Sequence, residues 1–286
     1  MLQTPFVNIN GHLTRENKAH IGINNRSFRY GDGFFETIKM VNGRILMPAY
    51  HMERLFASLD TLQFEVPNFF IPAYVKQHIH AVAAANHHEA LARIRVTIYR
   101  GNGGLYDPEN HFPNMLIQSW PLNSSNNQLN ENGLVIDICT TVKKSCDDYS
   151  HVKSNNYLGY AMAAMWAKNN RLNDAIVLNH WNRIADATIA NVFVVKNGVV
   201  TTPPLSEGGV NGNVRRHLLS EMRAANLPVQ EEPITTEHLH GADEVFLTNA
   251  IYGIRWVKQI GNTNYHSCAV AAQLYKRFVQ PLWQSV

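Results

Sequence analysis

The segment NSSNNQLNENG, Asn123 to Gly133, is rich in asparagine and serine and poor in the apolar residues that fill a core. It therefore reads as a linker or exposed loop between two stretches that each bury an interior of their own. A chain of 286 residues with 45% hydrophobic side chains exceeds the roughly 100–200 residues of one ordinary domain. The expected division is a small N-terminal α+β domain over residues 1–122, the linker over 123–133 and a larger C-terminal domain over 134–286.

Within the first stretch, FVNINGHL and FFETIKMVNGRILM each place apolar residues at period two around an Asn-Gly pair, Asn10-Gly11 and Asn42-Gly43, which predicts two tight hairpins. PAYHMERLFASLDTLQF sets Met52, Leu55, Leu59 and Leu62 at helical spacing, IPAYVKQHIHAVAAANHH predicts a second helix, and ARIRVTIYRG and MLIQSWPL read as strands. Beyond the linker, LVIDICTTV, DAIVLN, NVFVVKNG, VVTTPP, DEVFLTNA and IRWVKQI read as strands. YLGYAMAAMWAKNN, NVRRHLLSEMRAAN and AVAAQLYKRFVQPLW read as helices.

Charge and cysteine content remove several classes. Twenty-five basic against 22 acidic residues, with no block of five like charges, gives no electrostatic surface for nucleic acid. No apolar run reaches the roughly 18–20 residues of a bilayer span, and MLQTPFVNINGH has no secretory pattern, so the expectation is a cytoplasmic protein with no membrane partner. Three cysteines without metal-ligand spacing exclude a disulfide framework or structural zinc as the organising device.

Four places carry residues whose ordinary reading is strained. Lys153 precedes an alanine-rich helix instead of lying on its solvated face; a lysine held in a cleft is a nucleophile for carbonyls and a proton carrier. Gly208, Gly209 and Gly212 lead into a helix near Asn213, where bare N–H groups and the helix dipole suit a phosphate, although glycine there also marks a plain turn. Arg54 lies on an otherwise apolar helix, as a second anion ligand or an exposed arginine. Asp186, between a turn and a strand, either caps the turn or accepts from a heterocycle.

Taken in order, YGDGFFET (Tyr30–Thr37), HMERL (His51–Leu55), KSNNYL, IADATIANVF, TPPLSEGGVNGNVRR and VFLTNA (Val245–Ala250) resemble the class IV aminotransferase family over nearly the whole chain. The family comprises branched-chain and D-amino-acid aminotransferases and 4-amino-4-deoxychorismate lyases. The resemblance implies an α+β, fold-type IV enzyme of two domains, with pyridoxal 5'-phosphate in the interdomain cleft, acting on a small molecule as a homodimer. It implies that Lys153 bonds the cofactor and shuttles the substrate proton, and that Arg54 with the backbone of Asn213 and Val214 holds the phosphate. Thr248 or Asn249 would add a donor there, Tyr157 would reach the phenolic oxygen, and Asp186 would keep the pyridine nitrogen protonated. Two positions depart from the family: Asp186 replaces a glutamate, shortening its reach by about 1.3 Å, and Val214 replaces a threonine.

The reaction is read from the substrate side. Thr37 matches the threonine of the lyases, where its hydroxyl would assist protonation of departing pyruvate; it is equally a β-branched strand residue. The RGNGGLYDP loop opening at Arg100 lacks the second arginine and the histidine with which D-amino-acid aminotransferases trap a carboxylate. Tyr30, Thr37 and Arg100 are the expected substrate contacts. The favoured expectation is 4-amino-4-deoxychorismate lyase, which belongs to folate synthesis, with a branched-chain-type aminotransferase next and a non-catalytic cofactor-binding protein as a remote third.

Overall fold

The computed structural model describes residues 4–284, which divide into two compact units. One comprises the chain up to Ser124 together with Lys153–Asn156; the other comprises Ser125–Val152 and the chain from Tyr157 onward.

The first unit holds β1 (Phe6–Ile9), β2 (His12–Arg15), α1 (Arg26–Tyr30), β3 (Gly33–Val41), β4 (Arg44–Ile45), α2 (Pro48–Thr61), α3 (Pro72–Ala85), β5 (Leu91–Arg100) and β6 (Pro113–Pro121). Its antiparallel sheet runs β2-β1-β6-β5-β3-β4. Both Asn-Gly pairs form the expected hairpins: Asn10 and Gly11 have φ of 51° and 90°, Asn42 and Gly43 of 47° and 72°, the left-handed pair that a two-residue turn demands. On β3 and β5 alternate residues Phe34, Ile38, Met40, Ile94, Val96 and Ile98 are buried, as are Leu55 and Leu59 of α2 and Val75 and Ile79 of α3.

Phe28 and Tyr30 lie on the short helix α1, because Asn25 accepts hydrogen bonds from Ser27 and Phe28 N–H and Gly31, at φ 69°, closes the turn. Phe28 is left 79% exposed.

The second unit contains β7 (Leu134–Lys144), α4 (Leu158–Asn169), β8 (Asp174–Asn179), β9 (Ile184–Ala187), β10 (Asn191–Lys196), β11 (Val199–Thr202), α5 (Asn213–Ala224), β12 (Val229–Glu231), α6 (Thr236–His240), β13 (Glu244–Asn249), β14 (Gly253–Ile260), β15 (Thr263–Asn264), α7 (Ala269–Leu274) and α8 (Gln280–Gln284). Its mixed sheet runs β12-β11-β10-β13-β14-β7-β8-β9, with β15 paired to β14. The sheet wraps one core, in which Ile136, Ile176, Ile184, Val192, Val245 and Val257 from six strands form a single cluster. A second cluster on the opposite side packs Ala163 and Ala167 of α4 against Ala175 and Val177 of β8, so the alanine-rich helix exists to lie close to a strand. The single helix expected near the C-terminus is interrupted by a wide π turn over Tyr275–Val279, just ahead of Pro281, whose missing N–H cannot continue the α ladder.

Candidate active site

β3 sorts its side chains onto two faces. The inward Glu36 is buried beside α2, where its carboxylate takes Arg54 Nε at 2.6 Å and Nη2 at 2.7 Å, with His51 Nδ1 at 2.7 Å. Burial alone would raise the carboxyl, but the Arg54 guanidinium and His51 override it and hold it at about 2, below its ordinary 4.5. Because the folded value is the lower one, this stabilisation is fully present above pH 4.5 and disappears as pH falls through about 2; it amounts to about 3 kcal/mol. Glu36→Gln should therefore lower the unfolding free energy at pH 7 by about 3–5 kcal/mol, and the gap to wild type should narrow steadily from pH 4.5 downward in acid titrations followed by circular dichroism.

The other face of β3 carries Phe35 and Thr37. Residues Lys153–Asn156 run beside this strand as an added strip: Phe35 N–H donates to Lys153 O at 3.0 Å and Asn155 N–H to Gly33 O at 2.8 Å. That pairing brings Lys153 Nζ to 4.6 Å from the Phe35 ring centre, while Arg95, directly across from Thr37 on β5, stands with its guanidinium carbon 3.6 Å from the same ring. A lysine and an arginine thus flank one aromatic ring, on the strand face that also carries Thr37. The sequence reading missed Arg95; the signal that finds it is the register, which pairs it with Thr37.

In the second unit the phosphate-type features assemble at the start of α5. Gly212 precedes the helix and has no side chain with which to cap its first turn, where Asn213 and Val214 lie. Glycine is required at Gly212, where a Cβ would stand 1.9 Å from Asn191 Oδ1, and at Gly208, which has φ +89° and would meet Ser145 O at 2.2 Å. Asn191 in turn donates to Val210 O and fixes this turn. Thr248 lies directly opposite Asn191 on the neighbouring strand, hence on the same face. Its Oγ1 is buried and has no hydrogen-bond partner among the described residues. A glycine-led helix start and the unsatisfied Thr248 hydroxyl fit a phosphate, so these residues suit the cofactor.

Asp186, on β9, is 2% exposed and its Oδ2 accepts from Tyr160 Oη at 2.7 Å and Val210 N–H at 3.1 Å, an anion fixed in place by two donors. Burial first, then the Asp186 charge, pushes the Tyr160 hydroxyl far above its ordinary value, so it stays a donor. Tyr160 was not anticipated from sequence, although its i,i+3 relation to Tyr157 makes the two rings stack at 4.4 Å.

The remaining expected contacts fall elsewhere or are engaged. Arg100 is buried and braces the fold: Nε pairs with Asp32 at 3.2 Å, Nη1 and Nη2 donate to the carbonyls of Gln63 and Leu62, and the guanidinium covers Phe64. That corrects its reading as a substrate contact, since its donors are turned to the backbone. Tyr157 Oη donates to Thr188 O at 3.3 Å, and Asn249 Oδ1 caps the following turn through Ile251 and Tyr252 N–H, which leaves Thr248 as the open donor of that pair. Tyr30 lies 5.8 Å from Tyr106. Among the described residues no cluster suited to a metal ion occurs, and no helix is long and apolar enough to cross a membrane.

A fold of two such units, with a strip-borne lysine and an anion cradle at a helix start, defines a cofactor-dependent enzyme of the fold-type IV class. Residues 33–260 match the model of the amino-transferase class IV family, and the chain belongs to that family, whose enzymes use pyridoxal 5'-phosphate. An aminodeoxychorismate lyase of Vibrio harveyi is 31% identical over 245 residues, covering 85% of this chain and 88% of its own. A D-alanine aminotransferase of Listeria monocytogenes is 25% identical over 97% of this chain and 96% of its own. The crystal structure of a branched-chain aminotransferase from the archaeon Thermoproteus uzoniensis superposes with a TM-score of 0.88 at 24% identity, covering 98% of this chain and 95% of that one.

Proposed function

We propose that this enzyme is a 4-amino-4-deoxychorismate lyase that releases 4-aminobenzoate and pyruvate, the reaction that closes 4-aminobenzoate supply for folate. The observation that carries the reading is Thr37 on the β3 face shared with Phe35, the ring that Lys153 Nζ approaches. Support also comes from the lyase named among its relatives. Bound pyridoxal phosphate supplies an electron sink for the electrons released when a C–H bond beside the substrate nitrogen breaks.

The chain's own residues do the rest. Lys153 would hold the cofactor through Nζ, and its free amine would take the substrate's ring proton. As the C–O bond to the enolpyruvyl group breaks and the ring becomes aromatic, the Thr37 hydroxyl relays the proton held by Lys153 to the departing three-carbon unit, which gives pyruvate and restores both the hydroxyl and the free lysine amine. Arg95 supplies the counter-charge for a substrate carboxylate. In the second unit, the N–H groups of Asn213 and Val214 with Thr248 Oγ1 would hold the phosphate and Asp186 would hold a proton on the ring nitrogen, and the cation assigned to the phosphate is Arg54.

Purified enzyme incubated with aminodeoxychorismate should yield 4-aminobenzoate and pyruvate in equal amounts, and amino-acid/2-oxo-acid pairs should yield no new amino acid. The reverse result establishes the branched-chain-type aminotransferase reading. Thr37→Gly should slow pyruvate release about 100-fold while leaving the first spectral change on substrate binding intact in rapid mixing; equal slowing of both removes the argument for the lyase. The assembly proposed is a homodimer in the cytoplasm, and sedimentation showing an active monomer overturns it.

A further inference from the structure

Two crosslinks tie the glycine loop ahead of α5 to β9, the last strand of the second unit's sheet. Asp186 takes Val210 N–H on Oδ2, and three residues earlier on both segments Arg183 meets Glu207. The segments therefore run side by side in one direction. Between the two ties they are in close contact, since a Cβ on Gly209 would meet Ala185 O at 2.7 Å.

The Glu207 tie is buried and uses both carboxylate oxygens. Oε2 accepts from Arg183 Nε at 2.6 Å and from Asn179 Nδ2 at 2.6 Å, and Oε1 accepts from Arg183 Nη2 at 2.7 Å. Such a guanidinium–carboxylate fork fixes orientation as well as distance. Asn179, also buried, donates to the Glu207 carbonyl at 3.3 Å, and its Oδ1 takes the N–H groups of Trp181 and Arg183, which closes the turn between β8 and β9. Neither Glu207 nor Arg183 belongs to the apolar clusters of this unit.

The loop that follows Glu207 contains Gly208, Gly209 and Gly212, and Gly208 stands at φ +89°. A segment this rich in glycine has the most backbone freedom to lose, and a phosphate site made of backbone N–H groups binds well only when they are ordered beforehand. We propose that Glu207 is a positioning residue for the cofactor phosphate: by locking the loop in register with β9 it sets where the start of α5 stands relative to Asp186. One rigid ligand can then be met at its phosphate and at its ring nitrogen together. This rests on the reading of the α5 start as the phosphate site.

The test compares pyridoxal 5'-phosphate with pyridoxal, which has the same ring and aldehyde but no phosphate, on the full-length protein freed of cofactor by dialysis. The ratio of the two dissociation constants isolates the phosphate's share of the affinity. In Glu207→Gln the amide N–H2 must face a donor of Arg183 or Asn179, which opens the clamp. It should weaken binding of the phosphate form by about tenfold or more and that of pyridoxal by less than about twofold. The double variant Arg183→Leu, Glu207→Met leaves no buried ion unpaired; its cofactor-free thermal midpoint should match wild type and its ratio should fall in the same way. Amide exchange over residues 211–216 of the unaltered protein should slow with the phosphate form and not with pyridoxal. If it does not, the phosphate lies elsewhere and both readings fall. Slowed exchange with an unchanged ratio in the two clamp variants overturns the role of Glu207 alone. Equal weakening of both ligands, or a double variant that does not fold, makes the pair a structural tie and overturns it as well.

Discussion

Lys153→Ala should lower turnover by about three orders of magnitude or more, because it removes both the group that bonds the cofactor and the base that moves the substrate proton. The fold should survive the change. The backbone tie of Lys153 to the first unit is its carbonyl, which accepts from Phe35 N–H, and alanine keeps that carbonyl in place. Steady-state kinetics and a thermal midpoint measured together separate the two effects. Peptide mapping after borohydride reduction of the loaded enzyme supplies an independent readout, with the pyridoxyl group expected on Lys153. Lys144 is the rival to watch, since its Nζ stands 4.9 Å from the Tyr160 ring and Tyr160 holds Asp186. A label on Lys144, or full turnover in Lys153→Ala, overturns the assignment.

Asp186→Asn is expected to cost about 100-fold in kcat with little loss of bound cofactor. The asparagine carbonyl still accepts from Tyr160 or Val210, so local structure is retained, whereas the negative charge that would hold a proton on the ring nitrogen is gone. Cofactor content by absorbance and kcat on the same preparation make the comparison. Unchanged kcat would reduce Asp186 to an acceptor that anchors the Val210 turn; loss of cofactor in parallel with kcat would make it a binding residue alone. Because Asp186 is shorter than the family's glutamate, Asp186→Glu is the informative third variant. If it raises kcat, the short reach limits the enzyme; if it unfolds the turn, the Tyr160 and Val210 contacts have no room for another methylene.

Local patterns made much of this fold readable. The Asn-Gly pairs predict hairpins because both residues must take positive φ, and they do. Alternation along β5 and helical spacing on α2 likewise follow from one buried face per element. The misses occur where a long-range partner decides. The helix expected over AVAAQLYKRFVQPLW is interrupted by a π turn at Tyr275–Val279 ahead of Pro281. Arg100 resembled a substrate ligand because a loop follows it; two carbonyls far away in sequence, at Leu62 and Gln63, claim its donors. Arg95, Tyr160 and Glu36 were invisible for the same reason, since their importance lies in a strand register, a carboxylate 26 residues distant and a helix packed on the sheet. The candidate site residues proposed from the resemblance were legible as motifs. What each side chain does was not: motifs name positions, whereas donors and acceptors are allotted by tertiary neighbours.

The Lys153–Asn156 strip also constrains how such an enzyme can be recombined. A chimera made with a single crossover near Ser124 would take its first unit from one parent and this strip from the other, although the strip belongs with that unit. Its backbone hydrogen bonds to β3 are indifferent to side chains, but the fit around them is not: a Cβ at Gly33 would meet Asn155 Nδ2 at 2.7 Å and Ile98 O at 2.3 Å, and one at Gly31 would meet the Asn156 backbone at 3.1 Å. The exchangeable module is therefore discontinuous, and the lysine is inherited with the sheet it flanks, so viable hybrids require two further junctions on either side of residues 153–156.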